Sequence, residues 1–194
     1  MISDKTSHKE KEMNFIAPKD IVLKLNKFGH ITFSVVGSNL TGREELAELE
    51  SSGFPVGDHA RQMLLSEGKG SYDDVHRLVQ GESYGIVLLP GTCIPRDRNR
   101  TTINLRTEAI ERFGYYSSLA GAVPYVCEPA FCQYMDNIGF RDIVFLHEPI
   151  HAADPSSYVF KIMCFERMLS SSPGHPYFLW DCEVLFAFFS IHEG

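Results

Sequence analysis

The stretch HITFSVVGSNLTGREELAELES, residues 30 to 51, contains the signals that decide the fold class. β-Branched and apolar residues dominate between His30 and Gly37, a pattern that predicts a buried strand. A short turn follows, and Thr41 with Glu44 three residues later has the spacing of a capping box, which predicts the start of a helix. A strand that leads through a short turn into a capped helix is typical of proteins that combine α and β structure.

Similar extended and helical segments continue on both sides of this stretch. Further strands are predicted at residues 84–89, 142–146, 158–165 and 178–191. Helices are predicted at residues 18–28, 58–67, 72–80, 101–113 and 129–138. A segment of serine, proline and glycine joins the last two strands, which predicts an antiparallel hairpin at the C-terminus. We therefore expect an α/β or α+β fold, with helices packed on a mixed sheet of about five strands.

Length and composition predict one folded unit. Of the 194 residues, 44% are hydrophobic and 22% are charged, which is an ordinary balance for a globular protein. A chain of this size can bury a core without help from a disulfide or a structural metal. No repeat or long linker divides it, so we expect a disordered tail at residues 1–14 and a single domain at residues 15–194.

Charge and apolar patterning exclude several partners. The formal net charge of −7 would repel a phosphate backbone, so we expect no nucleic acid partner and no membrane partner with an anionic surface. The longest apolar stretch, residues 184–191, is much shorter than the ~20 residues of a membrane-spanning helix.

The targeting and cysteine signals favour a cytoplasmic location. The polar N-terminus has no apolar signal segment. The five cysteines are scattered and form no C-x-x-C pair. We therefore expect a reducing compartment in which all five thiols are free.

The string HEPIH, residues 147 to 151, matches the H-E-x-x-H pattern of zinc proteases. In those enzymes the string lies on a helix, so that both histidines share one face. Pro149 opposes this arrangement because proline removes a backbone donor and clashes with the preceding helical turn. We therefore expect His147 to begin a loop after a strand, without sharing a helix face with His151.

A loop can still hold a divalent metal. His147, His151 and Asp154 lie close enough in sequence to converge as ligands, while His147 and Glu148 could instead act as acid and base. A metal-dependent hydrolase is therefore one functional alternative. The opposing interpretation is that these side chains bind neighbouring backbone or solvent, since short His/Glu clusters often arise by chance.

A second cluster is basic and lies between a predicted strand and a predicted helix. It comprises four arginines and a helix-capping threonine: Arg96, Arg98, Arg100, Arg106 and Thr101. Guanidinium groups bind carboxylate or phosphate through paired hydrogen bonds, and a helix start offers free N–H groups to an anion. The cluster therefore indicates an anion site, although the glycines of a phosphate loop are missing. The alternative is a solvated loop neutralised by nearby carboxylates.

Cys93 follows the same predicted strand as this basic cluster. A thiol near positive charge can be stabilised as a thiolate. With His147 at another strand end, Cys93 could form a nucleophile and base pair, with Glu148 orienting the imidazole. No nucleophile motif supports this pairing.

These clusters lead to one functional hypothesis and one competing class. If the three early strands were parallel neighbours, the loops after Gly37, Leu89 and Leu146 would meet at one sheet edge. The leading hypothesis is then a protein or enzyme that binds a small anionic molecule between two of these loops. One is the arginine loop, which follows Leu89 and carries the basic cluster, and the other is the histidine loop, which follows Leu146 and carries His147 and His151. The competing class is a non-catalytic assembly protein, a homo-oligomer formed through its aromatic C-terminal hairpin.

Overall fold

The computed structural model describes residues 21–152 and 156–190. Nine strands belong to one sheet: β1 Lys24–Leu25, β2 Ile31–Val36, β3 Ser83–Pro90, β4 Tyr116–Ser117, β5 Asp142–Phe145, β6 Ile150–His151, β7 Ser157–Met163, β8 Met168–Pro173 and β9 Val184–Ser190. The helices are α1 Gly42–Ser51, α2 Asp58–Leu64, α3 Tyr72–Val75, α4 Thr102–Phe113 and α5 Pro129–Asn137. Short 3-10 segments cover Gly91–Cys93, Asp97–Asn99 and Ala120–Val126. The fold is therefore α+β, with a mixed sheet.

Strand order places the last strand at the centre of the sheet. The order is β1-β2-β3-β9-β5-β7-β6, while β4 also pairs with β9 and β8 with β7. Strand β9 is antiparallel to β3 and parallel to β5. Because β2 is antiparallel to β3, the strands β2, β9 and β5 all run in one direction.

Helices cover both faces of this sheet, and each face has its own core. One face includes Phe33, Leu88 and Phe145 and packs against α1, α2 and α5. The opposite face includes Leu89 and Phe186, which pack against the apolar side of α4. Apolar residues on both faces explain why β9 reads as a nearly continuous apolar run.

Local signals placed the ends of two helices correctly. Thr41 and Glu44 form the predicted capping box at the start of α1. The Thr101 hydroxyl accepts a hydrogen bond from the Asn104 N–H at the start of α4, and Gly114 ends that helix with a left-handed φ of 72°. These three helix ends depend on residues within about one helical turn, and such short spacings can be recognised in the sequence.

The prediction of a helix at residues 18–28 is wrong for the residues that the structure describes. Residues 21–28 are not helical, and Lys24–Leu25 forms a strand that pairs with β2. The Asn26 carboxamide oxygen accepts the N–H groups of Phe28 and His30 and closes a tight turn, in which Gly29 has a φ of 79°. Gly29 therefore belongs to a hairpin turn and does not end a helix.

The predicted pairing of the last two strands is also wrong. An antiparallel hairpin is present, but it joins β7 to β8, and the residues assigned to its loop, 170–173, belong to β8. Strand β9 instead pairs with β3 and β5 in the middle of the sheet. Trp180, Phe186 and Phe188 are consequently buried in the core of their own chain.

The expected meeting of three loops at one sheet edge does not occur. Strand β3 runs opposite to β2 and is separated from β5 by β9, so the loop after Leu89 leaves from the other edge. The arginine loop and the histidine loop therefore begin at opposite edges. Within residues 21–152 and 156–190, no helix is long and apolar enough to cross a membrane.

Candidate active site

The loop that carries Cys93 begins where β3 ends. Pro90 closes the strand, and residues Gly91–Cys93 form a single 3-10 turn. A Cβ atom on Gly91 would lie only 2.9 Å from the Asp181 carbonyl oxygen, so this position tolerates no side chain without movement. The absence of a side chain at Gly91 allows the turn to pack closely against the segment that precedes β9.

Arg100 braces this loop from inside. Its side chain is buried, with 4% of its area exposed. Its guanidinium donates to the carbonyl oxygens of Gly91 (2.9 Å), Ile94 (3.2 Å) and Trp180 (3.1 Å). It also pairs with the Asp97 carboxylate at 2.9 Å. Because the Gly91 and Ile94 carbonyls flank Cys93, Arg100 has a structural role and does not offer its guanidinium to a ligand.

Cys93 faces a histidine that the sequence analysis did not select. The Cys93 Sγ atom lies 3.6 Å from Nε2 of His30, a distance at which a thiol can hydrogen-bond to an imidazole. His30 precedes β2 and is buried with 4% exposure, whereas Cys93 is half-buried. Phe113 packs edge-on against the imidazole with ring centroids 4.7 Å apart. The imidazole is therefore held in place beside a thiol that ligands can reach.

The other imidazole nitrogen of His30 is oriented by two polar side chains. Its Nδ1 atom lies 2.8 Å from the Tyr115 hydroxyl oxygen. The same oxygen accepts a hydrogen bond from Nδ2 of Asn26 at 2.7 Å. Because the Asn26 oxygen is occupied by two backbone N–H groups, the orientation of its amide is fixed. A thiol, an imidazole and a group that orients the imidazole are the components of a nucleophilic site.

Burial keeps both partners neutral at rest. Burial raises the pKa of the Cys93 thiol, and the nearby Arg112 guanidinium only partly opposes this change. Burial also lowers the pKa of His30, and Arg112 lowers it further. The resting pair is therefore thiol and imidazole, rather than the thiolate that the basic cluster led us to expect. The nearby positive charge comes from Arg112 in α4.

A cavity opens directly beside the thiol. Its volume is about 350 Å³, and residues 93–95 and Asn99 form one wall. Side chains on one side of α4 form the other wall: Asn104, Thr107, Glu108 and Arg112. Glu108 and Arg112 are paired at 2.8 Å. The lining thus offers hydrogen-bond donors and acceptors to a polar substrate.

His147 has no free nitrogen in this fold. It follows β5 in a loop, as predicted, and does not share a helix face with His151. Its Nε2 atom accepts the Phe160 N–H at 3.0 Å, and its Nδ1 atom lies 2.7 Å from the Glu148 carbonyl oxygen. The side chain is fully buried, and burial with the neighbouring His76 lowers its pKa to about 3. His147 therefore holds the β5 end against β7, and its imidazole does not contact Cys93.

The metal-ligand prediction gains no support from the described residues. Asp154 lies outside them, and His151 is exposed in β6. Across residues 21–152 and 156–190, no group of three or more histidine, cysteine, aspartate or glutamate side chains converges to hold a metal. Glu148 is 73% exposed and pairs with Arg106 at 3.4 Å.

The members of the basic cluster have separate positions. Arg106 donates to the carbonyl oxygens of Leu146 and His147 at 3.1 and 2.6 Å, and among the described residues it is the only member that contacts the histidine loop. Thr101 serves as a helix cap. Arg96 and Arg98 are exposed and lie in the loop between the cavity-lining residues Pro95 and Asn99. The cluster is therefore divided between structural and exposed arginines, and the two exposed ones remain available to an anion.

Comparisons of the chain with protein family models, curated proteins and solved structures give no significant match.

Proposed function

We propose that this protein is a cysteine-dependent enzyme that cleaves or transfers an acyl group. Cys93 is the nucleophile and His30 is the general base, while Tyr115 and Asn26 are positioning residues. The observation that carries the proposal is the 3.6 Å contact between Sγ and Nε2, in a pair whose imidazole is oriented from its other side. A positioned base of this kind typically accelerates proton transfer by about 10² to 10⁴.

The reaction follows from the neutral resting pair. With its proton on Nδ1, the His30 imidazole donates to the Tyr115 oxygen and leaves Nε2 to accept the thiol proton. As Sγ attacks a substrate carbonyl carbon, the S–C bond forms and the proton moves to Nε2. The imidazolium then donates this proton to the leaving group as the acyl bond breaks. Water or a second acceptor attacks the thioester carbonyl carbon and gives its proton to His30. The S–C bond then breaks, the acyl product leaves, and the imidazolium returns the proton to the Cys93 sulfur.

The cavity supports this assignment because Cys93 forms part of its wall. Its volume of about 350 Å³ accommodates an acyl group with its neighbouring atoms. Asn104 and Thr107 can donate hydrogen bonds to a carbonyl oxygen, and Glu108 can accept from an amide N–H.

Acylation by an activated ester tests the proposal. The protein is incubated with p-nitrophenyl acetate, and intact-mass spectrometry with peptide mapping locates the acetyl group. Cys182 is an exposed free thiol and provides the matched control. We expect acetylation and ester turnover to persist in Cys182→Ala, to disappear in Cys93→Ala and to fall at least about a hundredfold in His30→Gln. Turnover that depends on Cys182, or that is equal in wild type and His30→Gln, would refute the assignment.

A further inference from the structure

Arg96 and Arg98, which we call the arginine rim, carry unpaired positive charge in the loop between the cavity-lining residues Pro95 and Asn99. Both side chains are exposed, and neither forms a side-chain hydrogen bond or an ion pair with any residue in the described ranges. By contrast, Arg100 is buried and Arg106 is bound to backbone carbonyls. Since the whole chain carries a formal net charge of −7, these two arginines form a local site of opposite sign. Such a site attracts an acidic partner and repels a basic one.

Three exposed apolar side chains lie just after this loop and on the backbone segment that is hydrogen-bonded to its end. Ile103, Tyr177 and Leu179 are 44%, 70% and 54% exposed. Their two backbone segments are hydrogen-bonded to each other, because the Ile103 N–H donates to the Pro176 carbonyl and Thr101 bridges to Leu179. We call these three side chains the apolar rim. Ile103 directly precedes the cavity-lining residue Asn104, and Arg96 and Arg98 lie between the lining residues Pro95 and Asn99, so both rims adjoin the wall of the Cys93 cavity along the chain.

The combination of charge and apolar area identifies the chemistry of the occupant. A small carboxylate could pair with Arg96 or Arg98, but it would leave the apolar rim exposed to water. An extended polypeptide presents side chains about every 3.3 Å and can place carboxylates and apolar groups on both rims at once. We propose that the acyl substrate of Cys93 is a peptide bond or side-chain amide within an acidic polypeptide segment. This inference depends on the proposed function for the chemistry at Cys93, whereas the binding surface can be tested without turnover.

Fluorescence anisotropy of Cys93→Ala protein tests the binding surface. The probe is a fluorescein-labelled dodecapeptide of glutamate and leucine, and its counterpart carries lysine in place of glutamate. We expect selective binding of the glutamate peptide, weakened by salt as expected for exposed charges. Arg96→Glu with Arg98→Glu should weaken binding at least about tenfold, as should Ile103→Ser with Tyr177→Ser. Arg43→Glu is the matched control, because Arg43 is exposed on α1 at the opposite face of the sheet, and should leave binding unchanged.

The outcomes separate this inference from the proposed function. Equal binding of both peptides, insensitivity to the arginine substitutions, or equal competition by free glutarate or a single-stranded oligonucleotide would overturn the polypeptide assignment. Ester turnover by Cys93 without peptide binding would leave the proposed function standing and remove this inference. Selective peptide binding without ester turnover would support the surface and refute the acyl chemistry.

Discussion

Replacing Arg100 with methionine removes the brace of the Cys93 loop while keeping an unbranched apolar side chain in its place. The substitution deletes the donors to the Gly91, Ile94 and Trp180 carbonyls. The Gly91 carbonyl keeps the hydrogen bond from the Ile94 N–H, whereas the Ile94 and Trp180 carbonyls lose the hydrogen bond from Arg100. A buried polar group left unsatisfied costs about 1–3 kcal/mol, which gives a loss of roughly 2–6 kcal/mol in unfolding free energy.

Chemical denaturation followed by Trp180 fluorescence measures this loss, since Trp180 is adjacent to the brace. Arg98→Met is the matched control and should change stability by less than about 0.5 kcal/mol, because the Arg98 side chain is exposed. We also expect the Arg100 variant to acylate more slowly at Cys93, because the Gly91 and Ile94 carbonyls on either side of the thiol both lose the Arg100 donor. A loss below about 1 kcal/mol, or equal effects of the two substitutions, would refute the structural role of Arg100.

Three further substitutions or conditions probe the electrostatics of the site and of the buried histidines. Glu108→Gln should lower the pKa of the Cys93 thiol, because the Glu108 carboxylate raises it; an unchanged midpoint in the pH dependence of iodoacetamide alkylation would contradict this. Tyr115→Phe should slow acylation of Cys93 by about tenfold or more while the protein stays folded, because the imidazole loses its orienting oxygen; wild-type rates would argue against a positioning role. Acid should destabilise the protein between pH 6.5 and about 4. Burial lowers the pKa of His76 to about 4 and that of His147 to about 3, so in this pH range the unfolded chain binds more protons than the folded protein. Each imidazole contributes up to about 1.4 kcal/mol per pH unit, and denaturant titrations that give constant stability from pH 6.5 to 5 would contradict this reasoning.

The parts of the fold that depend on short sequence spacings were predictable. The capping box of Thr41 and the glycine that ends α4 act within one helical turn, and Pro149 excludes a helix through its own backbone. The parts that depend on distant pairing were not. Residues 24–28 have apolar spacing that suits a helix, yet pairing with β2 makes them part of a hairpin. Tertiary pairing overrides such weak local preferences.

The residues of the candidate site were also only partly predictable from the sequence. Cys93 could be selected because a thiol after a strand is a recognisable position, but its partner His30 lies 63 residues earlier in the chain. The sequence offered His147 as a partner because it belongs to a recognisable string, and the fold instead satisfies both of its nitrogens internally. Tyr115 directly follows the glycine that ends α4, and its N–H donates to the Ala109 carbonyl, so the end of this helix fixes its backbone position. No spacing in the sequence indicates that these three residues meet.

The pH dependence of Cys93 acylation shows whether His30 is the base that takes the thiol proton. Rates of p-nitrophenyl acetate acylation are measured from pH 5 to 10 in Cys182→Ala protein, with and without His30→Gln. With His30 present, we expect a plateau that begins at the lowered pKa of the imidazole, below 6.5, because the neutral base takes the thiol proton. Without His30, the rate should rise about tenfold per pH unit toward the raised pKa of the thiol, because only the thiolate then reacts. Profiles that rise in parallel in both proteins would contradict the assignment of His30 as the base of Cys93.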